Sequence, residues 1–316
     1  MRYRHRPDRA GQRCADMVRD LAIPVPFDLG ALRACLKQRT GRVVEMLPAV
    51  MEPGAPSGTF FSTAGADYLY YEQRTTPFHQ AHIVLSLTGR MLLGEMDGPS
   101  FDRRLVPDLS PQLIRLMLGQ VAGSTVTLAE AEAFAFLAMD RAHLAACSSF
   151  FARRALRRLR PLHLALCEAV PEATNAAASG GRSSMRLRLY QLVIEIRDAA
   201  LALRRYRDPE VASAVAAAAQ AAGLVPSELT AVVEAAVLAA AMRARNAGHP
   251  VRQQADEAAL PPTLGADLRS ETAWLVKVSR AFAESSLADG PARDDPHEST
   301  RDGFAARVGT GRTLFR

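Results

Sequence analysis

Apolar residues recur at helical spacing over residues 9–22 and again over 28–39, where Leu29, Leu32 and Leu36 share one face behind the capping residue Asp28. The proline-rich joint Ile23-Pro24-Val25-Pro26-Phe27 separates these two helices. The period then shortens. Arg42–Leu47, Ser57–Ser62 and Asp67–Glu72 are rich in β-branched or aromatic residues and read as strands, the last two divided by the turn Thr63-Ala64-Gly65. Together they predict a small antiparallel sheet. Helical spacing returns at Pro77, after the cap Thr76, and runs to Leu93 with Gly94 as its stop. Ile83, Leu85, Leu87, Met91 and Leu92 are expected to pack under the sheet. His79, His82, Ser86 and Arg90 stand three and four residues apart and form a polar face, expected on the opposite side.

A loop rich in Gly, Pro and Asp (residues 96–108) precedes helices predicted at 110–120 and 127–147. Beyond residue 152 the pattern is helical throughout, over 153–169, 184–206, 208–222, 226–247 and 266–286. Residues 1–8 read as a flexible N-terminus, and the Gly-, Asp-, Arg- and Ser-rich residues 288–316 as a disordered tail. The expected layout is an α+β domain over 9–150 followed by an all-α domain over 151–287.

Composition narrows the function classes only slightly. With 316 residues, 48% hydrophobic and 23% charged, the chain can bury a sizeable core in each of two domains. A net charge of +6 permits an anionic partner without calling for one. The densest basic run, Arg153 to Arg160, reads as a solvated helix face, and no stacking aromatics interleave with it, so nucleic-acid binding is not supported. Cys14, Cys35, Cys147 and Cys167 lie far apart without a C-x-x-C, which suggests reduced thiols and a cytoplasmic setting. No signal peptide and no membrane span are expected. The Ala-rich stretch from Val211 to Ala241 is broken at Gly223 and Pro226 and reads as two soluble helices whose apolar surface suits a homodimer.

The helix from Pro77 carries the most specific signal. A zinc peptidase helix bears H-E-x-x-H, in which two His on one face hold the metal and a Glu activates water. From about residue 10 to 147 the chain resembles the ImmA/IrrE-type zinc metallopeptidase domains of actinobacteria. The resemblance is carried by Pro26-Phe27-Asp28, Ala66-Asp67-Tyr68, the run from Thr76 to Leu85, Met91-Leu92-Leu93-Gly94, and Glu130-Ala131-Glu132-Ala133-Phe134-Ala135. It implies a zincin-like fold. It also implies that Ser86 and Arg90 occupy the two His positions, Leu87 that of the general base, and Glu130 that of the third ligand. Leu accepts no proton, Arg offers no lone pair, and Ser is a poor neutral ligand. One carboxylate alone does not hold zinc, so neither a metal nor any other cofactor is expected at this site. Arg90 is expected to pair with Glu130, its guanidinium standing in for the charge of the ion.

Residues 153–286 are similar to a second actinobacterial family, a cytosolic helical domain that follows multi-pass membrane segments in proteins often encoded beside such peptidases. The matching words run from Leu159 to Leu166, from Glu168 to Glu172, Arg188-Leu189-Tyr190, from Val193 to Asp198, and from Glu271 to Leu275. The chain thus looks like a fusion of two separate partners.

Other readings carry less weight. His79 and His82 form an H-x-x-H that is more simply read as polar cleft lining or helix-start histidines. His82, Ser86 and Glu130 form a nominal serine constellation that such spacing often produces incidentally. Glu195, Arg197, Asp198, Arg204 and Arg205 make a dense charged stretch, read as ion pairing, with an anion pocket built on Arg197 or Arg188 as the alternative. Trp274 is spaced with Leu268, Leu275 and Val278 as a core residue. The leading functional expectation is a non-catalytic pseudo-metallopeptidase that binds a protein or peptide in a regulatory or toxin–antitoxin-like context. A second is a metal-independent enzyme of specialised metabolism acting on a small molecule, with His79, His82 and Glu130 as acid–base groups and Arg90 orienting an anion. A third is a structural adaptor working through the helical domain.

Overall fold

The structure is a computed structural model, and it describes residues 9–51, 55–63, 65–93, 128–173, 184–249 and 266–288. The chain divides into two compact units, the first comprising residues 1–146 with 266–268 and the second residues 147–265 with 269–316. The expectations for residues 1–8, the loop 96–108, the helix 110–120 and the tail beyond 288 fall outside the described residues.

The first unit contains α1 (Arg9–Asp20), α2 (Leu29–Thr40), β1 (Val43–Ala49), β2 (Gly58–Ser62), β3 (Ala66–Glu72), α3 (Pro77–Leu93) and α4 (Leu128–Arg141). Local chemistry sets the limits of α2. Asp28 Oδ1 accepts from the Ala31 amide at 2.7 Å, and Gly41, at φ +70°, turns its N–H back to the Lys37 carbonyl at 2.9 Å. A left-handed residue in that place is what glycine supplies at least cost. The helix predicted to run to 147 stops at Arg141, where His143 takes a φ of +61° and breaks the ladder.

The three strands lie in the order β1-β3-β2, with β1 parallel and β2 antiparallel to β3. The sheet is therefore mixed, and the expectation of an antiparallel sheet is corrected. Alternation showed which residues form strands, but it did not show which neighbours they take. β3 is the most aromatic and most buried of the three and takes the centre. β2 pairs with it across the short turn, which leaves β1 the other edge, with Val43 opposite Ala66 and Ala49 opposite Glu72. The start of β3 is fastened by Arg42, whose Nε lies 3.1 and 3.0 Å from the two oxygens of buried Asp67 and whose Nη2 lies 2.9 Å from Oδ1. Its end is fastened by buried Glu72, which accepts from the amides of Met51 and Arg74 at 3.0 and 2.7 Å.

The second unit is helical. It holds α5 (Ser149–Ala169), α6 (Met185–Ala202), α7 (Pro209–Ala221), α8 (Pro226–Asn246) and α9 (Leu268–Ala288) from Arg269 onward, with short 3-10 turns at Pro171–Ala173 and Leu203–Tyr206. The single helix predicted over 184–206 is thus α6 with a tighter final turn. Ser148, Ser184 and Asp208 cap their helices through side-chain oxygens, and Pro209 and Pro226 occupy first turns, where a missing N–H costs nothing. Leu159, Leu162, Leu166, Leu189, Tyr190, Val193, Leu275 and Val278 are buried in this unit. No described helix is long and apolar enough to cross a membrane.

Candidate functional site

The candidate site lies along α3. At about 100° per residue, His79, Ser86 and Arg90 fall in one strip, flanked by Ile83 and Leu87 on one side and by His82 and Gly89 on the other. Both flanks are packed. A Cβ placed on Gly58 of β2 would lie 2.6 Å from Ile83 Cγ2 and 2.9 Å from Leu87 Cδ1, and one on Gly89 would lie 2.9 Å from the ring of Phe134 in α4. The polar strip therefore runs between the sheet and α4. It does not face away from the sheet, as the sequence suggested, because α3 is apolar nearly all round and buried on both flanks. Leu92 is only half-buried, while Ile83, Leu85, Leu87 and Met91 are buried.

Each residue of the strip has a distinct environment. His79 is 0% exposed; its Nδ1 shares a hydrogen bond of 2.9 Å with Thr75 Oγ1, and its amide donates to Thr76 Oγ1 at 3.4 Å. The buried His82 ring stacks on it with centroids 5.8 Å apart. These are helix-start histidines enclosed by the fold. Ser86 and Arg90 are half-buried. The Arg90 guanidinium carbon stands 5.8 Å from the centroid of the Phe60 ring on β2, within cation–π range. Glu130 is half-buried in the first turn of α4, and its carbonyl accepts from Cys14 Sγ at 3.5 Å, while the preceding Arg13 donates to the Leu93 carbonyl at 2.9 Å. One turn of α1 thus ties the end of α3 to the start of α4. Gly58, Gly89 and Phe60 were missed as site residues. The signal for the glycines was there, since Gly inside a strand or helix marks a close approach.

In the second unit two members of the charged stretch, Arg197 and Glu195, take ionisable partners from other helices, and further pairs lie outside the stretch. Buried Arg197 holds Glu271 through Nε and Nη2. Arg207 binds Glu234 through two hydrogen bonds of 2.6 and 3.1 Å, and Arg245 meets Glu172 at 2.6 Å. Burial pushes the Glu234 carboxyl up. The charge and hydrogen bonds of Arg207, helped by the charge of Arg197, outweigh that and hold it below the usual carboxylate range. Arg188, the other residue proposed to hold an anion, is exposed. Trp274 is buried.

A further cluster joins α5 and α6. His163 and Cys167 stand one turn apart on α5, and Glu195 reaches them from α6. His163 Nε2 lies 2.6 Å from Glu195 Oε2 and 3.3 Å from Cys167 Sγ. Burial, then the Glu195 charge, push the Cys167 thiol up. The (i, i+4) spacing of His163 and Cys167 was readable in the sequence, but Glu195, 32 residues away from His163, was not.

A family described as one of unknown function (DUF6545) matches residues 149–285, the span from α5 to α9 and less than half of the chain. No curated protein and no solved structure matches.

Proposed function

We propose that the chain is a non-catalytic pseudo-metallopeptidase of the cytoplasm, which binds an extended peptide or protein segment in a regulatory role and leaves it intact. The reading starts from the resemblance of residues 10–147 to ImmA/IrrE-type peptidases and takes their zincin-like fold as its frame. The observation that carries it is the state of two of the three altered positions. Leu87, at the general-base position, is buried and packs onto β2 at Gly58. Arg90, at a ligand position, sits over Phe60 of the same strand. The strip is filled by packing on one flank and by a permanent cation, a combination with no means to activate water.

The means to bind remain. β2 is an edge strand, and among the described residues no strand pairs with its outer side. Such an edge adds a peptide strand through main-chain hydrogen bonds, while side chains beside it select the sequence. Arg90, over Phe60 of that strand, and Ser86, one turn before it on the same strip, are the polar groups we assign to that selection. The small-molecule enzyme reading has less support, because the acid–base groups it needs at His79 and His82 are buried against Thr75 and each other.

A peptide-display selection against the full chain tests the proposal. Selected peptides should bind the parent, bind Arg90→Ala at least about 10-fold more weakly, a loss of roughly 1.4 kcal/mol, and survive prolonged incubation with protein and zinc uncut. Cleavage of the peptides, or equal affinity in the Arg90→Ala variant, would reject it.

A further inference from the structure

The cluster of His163, Cys167 and Glu195 is unlike every other group in the described residues, where it is the one set of three His, Cys, Asp or Glu side chains close enough to share an ion. Its ligand atoms all lie within 4.8 Å of one another. Its geometry separates two kinds of chemistry. In a nucleophilic relay the carboxylate would hold one ring nitrogen of the histidine and the thiol would face the other. Here Glu195 and Cys167 both approach the same nitrogen, Nε2. One ring nitrogen carries either a single proton or a single lone pair, so it serves two partners poorly. Three donors converging on one point is the arrangement that a cation satisfies.

We propose that His163, Cys167 and Glu195 bind a divalent transition cation of the zinc type, with a fourth coordination position open to water. An imidazole nitrogen, a thiolate sulfur and a carboxylate oxygen form a borderline-soft donor set that suits zinc and disfavours magnesium or calcium. Zinc–ligand lengths of about 2.0 Å for nitrogen and oxygen and about 2.3 Å for sulfur place tetrahedral ligand atoms about 3.3–3.5 Å apart. The nitrogen–sulfur distance is already 3.3 Å. The nitrogen–oxygen distance of 2.6 Å has to open by only about 0.7 Å to match. The helical spacing fixes His163 and Cys167 on one face of α5, and Glu195 is presented by the facing helix, so the ion closes a clamp between α5 and α6. Side-chain exposures of 20% for His163 and 16% for Glu195 leave room for an ion and a water to arrive. Binding exchanges the thiol proton for the cation, and the released proton goes to solvent.

This site belongs to the second unit and does not depend on the function proposed for α3. The test uses the full chain, stripped with a chelator and titrated with zinc, and with cobalt(II) as a spectroscopic stand-in. The parent should take one equivalent of zinc and, with cobalt, show a thiolate charge-transfer band. Cys167→Ser should abolish that band. His163→Ala and Glu195→Gln should each weaken zinc binding by at least about 100-fold, since even outer partners of metal ligands are worth 10–100-fold. His82→Ala should bind as the parent does. Zinc should raise the melting temperature of the parent and leave that of Glu195→Gln unchanged, with far-UV circular dichroism showing the stripped variants as helical as the stripped parent. The inference is overturned if the parent takes up no zinc, or if binding survives the joint His163→Ala, Cys167→Ser change.

Discussion

Single side chains decide what each part of this protein can do. In the proposed peptidase frame, Leu87 and Arg90 remove water activation and metal ligation from α3 by their own chemistry, before any question of geometry arises. In the second unit the decisive residues are arginines that neutralise enclosed carboxylates, and half-buried Arg207 with Glu234 gives a prediction at this scale. The Glu234 carboxyl is held below its ordinary value in the folded chain. Its contribution to stability is therefore complete above the unfolded carboxylate pKa, near about 4.3, and is lost as pH falls from there through the lower folded value. Arg207→Gln should lower stability at neutral pH by about 1–3 kcal/mol, as for losing hydrogen bonds to a half-buried charged group. The difference between parent and variant in urea-monitored unfolding should shrink as pH falls through that acid window, and a difference that stays constant with pH would rule the account out. Much at this scale was legible in the sequence. Asp28 and Thr76 were read as caps, and each accepts a backbone amide at its helix start. What could not be read were partners distant in sequence, such as Glu271 for Arg197 or Glu195 for His163, because helical periodicity specifies a face and leaves open which element it meets.

Elements add constraints that no residue carries alone. α3 is apolar on nearly every side because it fills the space between a three-stranded sheet and α4, and the two approaches are made at glycines. Gly89 is the sharper case. Its missing Cβ is replaced by the ring and Cβ of Phe134, at 2.9 and 3.0 Å, and a Cβ tied to its own backbone cannot swing away. Gly89→Ala should therefore destabilise the protein by about 1–3 kcal/mol, despite a gain of about 1 kcal/mol in helix propensity. Gly11→Ala in α1, where nothing lies within 4 Å, should be neutral or stabilising. Equilibrium denaturation of the two variants measures both signs, and a Gly89→Ala protein as stable as the parent would contradict the packing described. The strands and most helices were legible from their period. The parallel β1–β3 pairing was not, because strand order follows from how the chain crosses between strands, which is not encoded in a window of a few residues.

At the scale of the whole molecule, an α+β unit and a helical unit lie on one chain, and each carries its own candidate chemistry. Under the proposed function the α3 strip is a peptidase frame whose metal and base positions are occupied by Arg90, Ser86 and Leu87. The helical unit, matched by a family of unknown function, offers His163, Cys167 and Glu195 as donors for an ion. That the sheet lies in the first unit could be anticipated from the short period of residues 42–72. The functional contrast could not, because a resemblance shows which residues have been exchanged and does not show what now fills their places. The central claim is that α3 and Glu130 keep the frame of a zinc site. The most direct measurement is the zinc content of a chain in which Ser86→His and Arg90→His restore the two ligands, made on a His163→Ala, Cys167→Ser background so that bound metal reports on the cleft alone. The account predicts one zinc per restored chain, none in the background protein, and loss of that zinc when Glu130→Ala is added. A folded, restored chain that takes up no zinc, or that keeps it without the Glu130 carboxylate, would contradict the claim.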